Sequence, residues 1–80
     1  MSGYIATFHT HLAALLTSRS LSDRGVKAQM MPVPRALSSS CGTCVRYEAE
    51  EPCFDAMDED VECVYAIGGT DTYTLLLEKE

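Results

Sequence analysis

The chain has 80 residues, a formal net charge of −6 at pH 7 and a sequence pI of about 4.7. This length allows one small domain, residues 1–80, for which we expect a net stability of only about 3–5 kcal/mol. Homo-oligomerisation would help so small a core, and the sequence leaves it open. The acidic balance argues against nucleic acid or an anionic membrane surface as a partner, because both would repel the chain.

The sequence shows no membrane span and no secretory signal. No apolar stretch approaches the roughly 18–20 residues of a membrane span, and the N-terminus lacks a basic region followed by an apolar core. We therefore expect a cytoplasmic protein. In that compartment four cysteines are expected to be thiols or metal ligands rather than structural disulfides.

The first part of the chain predicts a β-α-β unit. Residues 4–8 are rich in strand-forming side chains, and residues 12–24 have a helical apolar pattern. Thr10 is a suitable N-cap and Gly25 a suitable stop for that helix. Residues 26–33 are the second predicted strand, which would run parallel to the first if both lie in one sheet.

The second part of the chain predicts three more strands and a short helix. Strands are predicted at 45–48, 61–67 and 73–78, with a turn at 68–71 before the last. Acidic residues and a proline at 50–52 favour a short helix through Met57. Regular alternation in 61–67 places Cys63 on the same face as Val61 and Tyr65, which predicts a core thiol. The order predicts an α+β fold: a ferredoxin-like βαββαβ sandwich with an additional C-terminal edge strand.

Residues 31–47 concentrate the reactive and backbone-bending side chains. Two prolines predict that the second strand ends near Pro34. The serines at 38–40 and Gly42 predict a polar turn. Cys41 and Cys44 form a Cys-x-x-Cys pair where this turn meets the next strand, so we expect an accessible sulfur on an anchored loop.

Sulfur chemistry at this pair needs a thiolate, which cations and clustered hydrogen-bond donors favour. His9 at the end of the first strand could approach the loop and act as a proton donor. The alternative is that His9 and its neighbour His11 only occupy the turn after that strand. The candidate donors near Cys41 are the amides of 38–42, the hydroxyls of Ser39, Ser40 and Thr43, and the side chains of Arg35 and Arg46.

The sequence P-V-P-R-A-L-S-S-S-C-G at residues 32–42 resembles that of a family of small bacterial and archaeal domains described as selenium/sulfur carriers. The strand at 4–9 and the helix ending in glycine agree with the same family. The resemblance implies that Cys41 carries sulfur or selenium as a covalent persulfide or perselenide, with no other cofactor. From the residues around this sulfur, we expect a binding loop that comprises Pro34, Arg35, Ser38, Ser39, Ser40, Gly42 and Thr43.

A protein of this kind would be a stoichiometric carrier rather than a true catalyst. Its expected partners are a donor of the cysteine desulfurase or selenocysteine lyase type and a sulfur or selenium acceptor enzyme. Cys44 would assist release by forming a disulfide with Cys41.

Three alternatives remain open from the residues. The chain could be a non-catalytic protein-interaction module whose thiols are incidental. It could be a dithiol redox protein, although the predicted strand after Cys44 differs from the helix usual beside such pairs. A structural zinc site is the third, with Cys41, Cys44, Cys53 and Cys63 as ligands, although the last two are not a close pair.

Overall fold

The structure, a computed structural model, describes residues 2–70 and 72–79. The predicted strands and the first helix are confirmed, with small changes at their ends. Asp71, the last residue of the turn predicted before the final strand, lies outside the described residues. The elements are β1 (Ser2–Phe8), α1 (His11–Asp23), β2 (Lys27–Pro32), β3 (Thr43–Ala49), a 3₁₀ turn (Phe54–Ala56), β4 (Val61–Ile67) and β5 (Tyr73–Glu78).

The five strands form one sheet in the order β2-β3-β1-β4-β5, and each neighbouring pair is antiparallel. Because β1 and β2 both run antiparallel to β3, they are parallel to each other, and α1 makes the crossover between them. β5 lies at an edge of the sheet, as predicted.

The prediction of a short helix that opens at residues 50–52 and runs through Met57 is wrong. Only Phe54–Ala56 is helical there, as a single 3₁₀ turn, and Cys53 before it has a left-handed backbone with φ of 55°. The connection from β3 to β4 must return along the length of β1, about 23 Å for a seven-residue strand. Residues 50–60 would rise only about 16 Å as one continuous helix, so such a helix could not make the connection.

The α+β class is therefore confirmed, whereas a ferredoxin-like sandwich with two α-helices is not. Within residues 2–70 and 72–79, α1 is the single α-helix. In that same part of the chain no helix is long and apolar enough to cross a membrane.

The core lies between α1 and one face of the sheet. The hydroxyl of Thr10 accepts a hydrogen bond from Ala13 N at 3.1 Å, which confirms the predicted N-cap. Small side chains on the buried side of α1 let it approach the strands closely. The main core side chains are Tyr4, Ala6 and Phe8 of β1, Ala13, Ala14 and Leu21 of α1, Val45 and Tyr47 of β3, and Val61 and Val64 of β4.

A β-bulge interrupts β4 at Glu62. Phe8 pairs with Val61 and Thr7 with Cys63, so Glu62 is the inserted residue. The insertion shifts the alternation, and both Val61 and Val64 face the core. Cys63 is only half-buried and is not part of the core cluster. The prediction of a core thiol at Cys63 is wrong because it assumed an unbroken two-residue period.

Candidate functional site

The segment 33–42, which we call the cysteine loop, is folded on itself between β2 and β3. Val33 N donates to Gly42 O at 3.2 Å and closes the base of the loop, while Leu37 N donates to Pro34 O at 3.0 Å. Gly42 has φ of +73°, a left-handed conformation that glycine adopts without a steric cost. Closed ends and internal turns are features of compact Ω-loops, which present side chains on a defined backbone.

The cysteine loop lies where β1 ends and where α1 and β4 begin. The hydroxyl of Ser39 donates to Phe8 O at 2.8 Å. At the start of β3, the hydroxyl of Thr43 lies 3.3 Å from Nδ1 of His11, the first residue of α1. Contacts between residues more than 30 positions apart therefore fix the loop to the rest of the domain.

Cys41 is half-buried and packs partly against the core. Its Sγ is 3.5 Å from Thr43 O, to which it can donate, and 3.9 Å from the hydroxyl oxygen of Ser39. The side chain is thus held by local contacts in a residue that is only half-buried, as expected for a thiol that meets a reagent or a partner.

Cys44 is in a different environment, inside β3 and with no exposed surface. It pairs with Thr7 of β1 and Met31 of β2, and its Sγ points to Pro32 O at 3.7 Å. Burial, with a smaller contribution from Cys41, raises the pKa of Cys44 to about 11. Cys44 is therefore a protonated, covered thiol at neutral pH, and it needs local opening before it can react.

The acceptor that organises the serines is Glu62, which sequence reasoning missed. Its Oε1 accepts from Ser39 Oγ and Ser40 N, both at 2.9 Å, and its Oε2 accepts from Ser40 Oγ at 3.0 Å. Burial alone would raise the pKa of Glu62, but the hydrogen bonds from Ser40 and Ser39 outweigh it, and the pKa is lowered. The serine donors expected around the sulfur are directed at this carboxylate.

Other predicted helpers take separate places. Nδ1 of His9 lies 3.5 Å from Oε2 of Glu62, so His9 reaches the site through that carboxylate. Arg35 and Ser38 are exposed residues of the cysteine loop. Arg46 is exposed on β3, opposite Ile5 of β1 and farther from the loop than Cys44.

The structure does not assemble the four-cysteine zinc site. Cys53 lies beside the 3₁₀ turn, where Arg24 after α1 pairs with Asp55 at 3.0 Å, whereas the cysteine loop lies at the other end of α1. Within the described ranges, no three His, Cys, Asp or Glu side chains are placed to hold a metal ion.

Together, the fold and the loop define a small α+β domain that presents one half-buried thiol on an anchored turn. The chain belongs to the family described as "Putative Se/S carrier protein-like", whose profile matches residues 3–58. The matched residues end before β4, so Glu62 and Cys63 lie outside them. Comparison with curated proteins and with solved structures finds no match for the chain.

Proposed function

We propose that the protein is a carrier of sulfur or selenium in which Cys41 bears the transferred atom. The observation that carries the proposal is the contrast between two thiols three positions apart. Cys41 is partly exposed on an anchored loop within the family-matched residues, whereas Cys44 is covered.

Loading would be a persulfide exchange. The Cys41 thiolate attacks the outer sulfur of a persulfide on the donor enzyme, a new S–S bond forms, and the donor's S–S bond breaks. The donor leaves as a thiolate, so the exchange involves no net oxidation. Delivery repeats the step with an acceptor nucleophile attacking the outer sulfur and Cys41 leaving as a thiolate. A perselenide follows the same balance with selenium as the outer atom.

The role expected for Cys44 from the sequence, release of the sulfur by forming a disulfide with Cys41, requires another step. Its thiolate would attack the Cys41 sulfur, form a disulfide and expel hydrosulfide. Burial and a pKa of about 11 keep Cys44 protonated, so direct delivery to an acceptor is the better-supported route. Strand β3 begins at Thr43, so the pair leads into a strand and not into a helix whose N-terminus would favour a thiolate, which argues against a dithiol redox protein.

We propose a cytoplasmic setting and partners that fit this chemistry, a cysteine desulfurase or selenocysteine lyase as donor and a sulfur or selenium acceptor enzyme. We also propose that the fold is a ferredoxin-like variant in which a 3₁₀ turn replaces the second helix. The parallel arrangement of β1 and β2, with β3 between them, supports that relation.

Intact-mass spectrometry after incubation with a cysteine desulfurase and cysteine tests the function. We expect the wild-type protein to gain the mass of one sulfur atom, which a reducing thiol removes. Cys41→Ser should abolish the gain. Cys44→Ser and Cys63→Ser are matched controls and should retain it, because neither residue receives the sulfur.

Sulfur loading that persists in Cys41→Ser, or that moves to Cys63, would contradict the assignment. An absence of loading in the wild-type protein with both a desulfurase and a selenocysteine lyase would contradict carriage itself. The interaction-module alternative would then be the better hypothesis.

A further inference from the structure

Glu62 lies outside the family-matched residues 3–58, yet its carboxylate holds the centre of the cysteine loop. It accepts a hydrogen bond from the backbone amide of Ser40 and one from each of the hydroxyls of Ser39 and Ser40. These donors belong to the two residues immediately before Cys41. Any change at Glu62 therefore reaches the backbone that positions the sulfur.

The β-bulge explains why Glu62 can reach the loop. As the inserted residue between the Phe8–Val61 and Thr7–Cys63 pairs, it interrupts the regular alternation of β4. Bulges commonly redirect a side chain next to a functional site. The side chain is only 19% exposed, and its backbone oxygen accepts from Lys79 N at 2.8 Å, so its position is fixed by the sheet.

The hydroxyl of Ser39 has one proton and three neighbouring acceptors. Phe8 O lies 2.8 Å and Glu62 Oε1 2.9 Å from its oxygen, while Cys41 Sγ lies 3.9 Å away. The two oxygens are closer, and one is charged, so the proton is directed away from the sulfur. In this arrangement Cys41 can donate its own S–H to Ser39 Oγ or to Thr43 O. The hydroxyls of Ser39 and Ser40 are thus directed at oxygen acceptors rather than at the sulfur.

We propose that Glu62 is a positioning residue for Cys41: it fixes the two serines before the sulfur and keeps their donors from reaching it. Removal of the negative charge weakens the acceptor that holds the donors of Ser39 and Ser40, and it removes a like charge that lies one hydroxyl away from the sulfur anion. The inference refines the proposed function, but the effect on thiol reactivity is the same whatever Cys41 carries.

Several ionisable groups lie near Glu62, and they are the same residues in every variant that is compared. They are His9 at the end of β1, Cys41 in the cysteine loop, Cys63 and Tyr65 on β4, Asp60 before β4, and Glu78 and Lys79 at the end of β5.

The test measures the alkylation rate of Cys41 with iodoacetamide from about pH 6 to about pH 10, since only the thiolate reacts. Trypsin should release residues 36–46, which contain Cys41 and Cys44, so fragment ions must assign the label. We expect Glu62→Gln to react about three to ten times faster near pH 7, with a lower midpoint in the pH profile. The matched control Glu59→Gln loses the same charge from an exposed side chain and should follow the wild-type profile.

The conservative variant Glu62→Asp separates charge from loop mobility. It keeps the negative charge, so its midpoint should remain near that of the wild-type protein. If Glu62→Asp shifts the midpoint as much as Glu62→Gln, or if Glu62→Gln changes only the plateau rate, the proposal is overturned.

Circular dichroism should first establish that the variants fold. If Glu62→Gln does not, Ser39→Ala gives an independent test. Because the Ser39 hydroxyl is directed away from the sulfur, its removal should not raise the midpoint. A raised midpoint would show that this hydroxyl already stabilises the thiolate and would overturn the proposal. Since alkylation needs no sulfur donor, failure here is distinct from failure of the carrier function.

Discussion

At the scale of single residues, the two cysteines of the Cys-x-x-Cys pair differ in what surrounds them. Cys41 follows the serines of an anchored loop and is half-buried. Cys44 is the second residue of β3, between β1 and β2, and is fully buried. The spacing of the motif alone gives no indication of this difference, because the burial of each cysteine depends on which residue begins β3.

We expect Cys44 to resist alkylation in the folded protein at about pH 8 and to react once urea unfolds the chain. Cys41 should react in both states and serves as the internal control. Peptide-resolved mass spectrometry distinguishes the two sites. Equal labelling of both cysteines under native conditions would show that Cys44 is not covered as described.

Because of the raised pKa of Cys44, the free energy of unfolding should also fall in alkaline solution. Its pKa is raised to about 11 in the folded state, against about 8.5 for a free thiol. The unfolded chain therefore loses this proton first, and the stabilising contribution present below about pH 8.5 is lost as pH rises toward 11.

Urea unfolding of Cys44→Ala should accordingly depend less on pH than that of the wild-type protein. The comparison is cleanest between about pH 8.5 and about pH 10, since burial also raises the pKa of Tyr47, whose titration begins higher. If the stability of both proteins depends on pH in the same way, the pKa of Cys44 is not raised in the folded state.

At the scale of elements, the chain between β3 and β4 is held by contacts rather than by a helix of its own. The buried hydroxyl of Thr17 on α1 accepts a hydrogen bond from Asp58 N at 3.0 Å. Two residues later, Asp60 O accepts from His9 N at 2.9 Å, at the edge of the site. α1 thus positions the segment that leads into β4 and Glu62.

Thr17→Val should destabilise the fold by about 1–3 kcal/mol, because it leaves the Asp58 amide without its acceptor. Thr17→Ser keeps the hydroxyl and should retain most of that contribution. Urea unfolding of both variants checks the difference. A larger loss in Thr17→Ser than in Thr17→Val would mean that packing of the methyl group, not the hydrogen bond, is the main contribution of Thr17.

At the scale of the whole molecule, one helix and one sheet face provide most of the core, so the stability is expected to be small. Leu21 of α1 is fully buried, and its truncation to alanine should cost about 2–5 kcal/mol. That loss is comparable with the entire stability expected for a domain of this size, about 3–5 kcal/mol. Leu21→Ala should therefore be largely unfolded at room temperature.

Leu12→Ala is the matched control on the same helix. Leu12 is 62% exposed, so its truncation should change stability by no more than about 0.5 kcal/mol. Circular dichroism and the labelling of Cys44 report the folded fraction in both variants. Cooperative folding of Leu21→Ala with wild-type stability would show that the core is supported by contacts beyond this chain, such as a second copy.

Local signals along the chain were enough to predict most of the helices and strands and the reactive segment. Two-residue alternation, the Thr10 cap and the glycine after α1 were sufficient to predict the strands and the helix, because these signals depend on neighbours along the chain. The serine-cysteine segment was sufficient to predict an exposed loop and the family. Acidic residues and a proline at 50–52 led to the expectation of a second helix, where the structure has a single 3₁₀ turn.

Which groups come into contact depends on the packing of the folded chain. The bulge at Glu62 changes which side chains of β4 face the core. Pairing of β3 with β1 and β2 buries Cys44. No local sequence pattern encodes either effect. The contact of Glu62 with Ser39 joins residues 23 positions apart, through side chains that each look ordinary in the sequence. Burial and hydrogen bonding depend on the packed neighbours in space, so the chemical difference between the two thiols appears only in the folded chain.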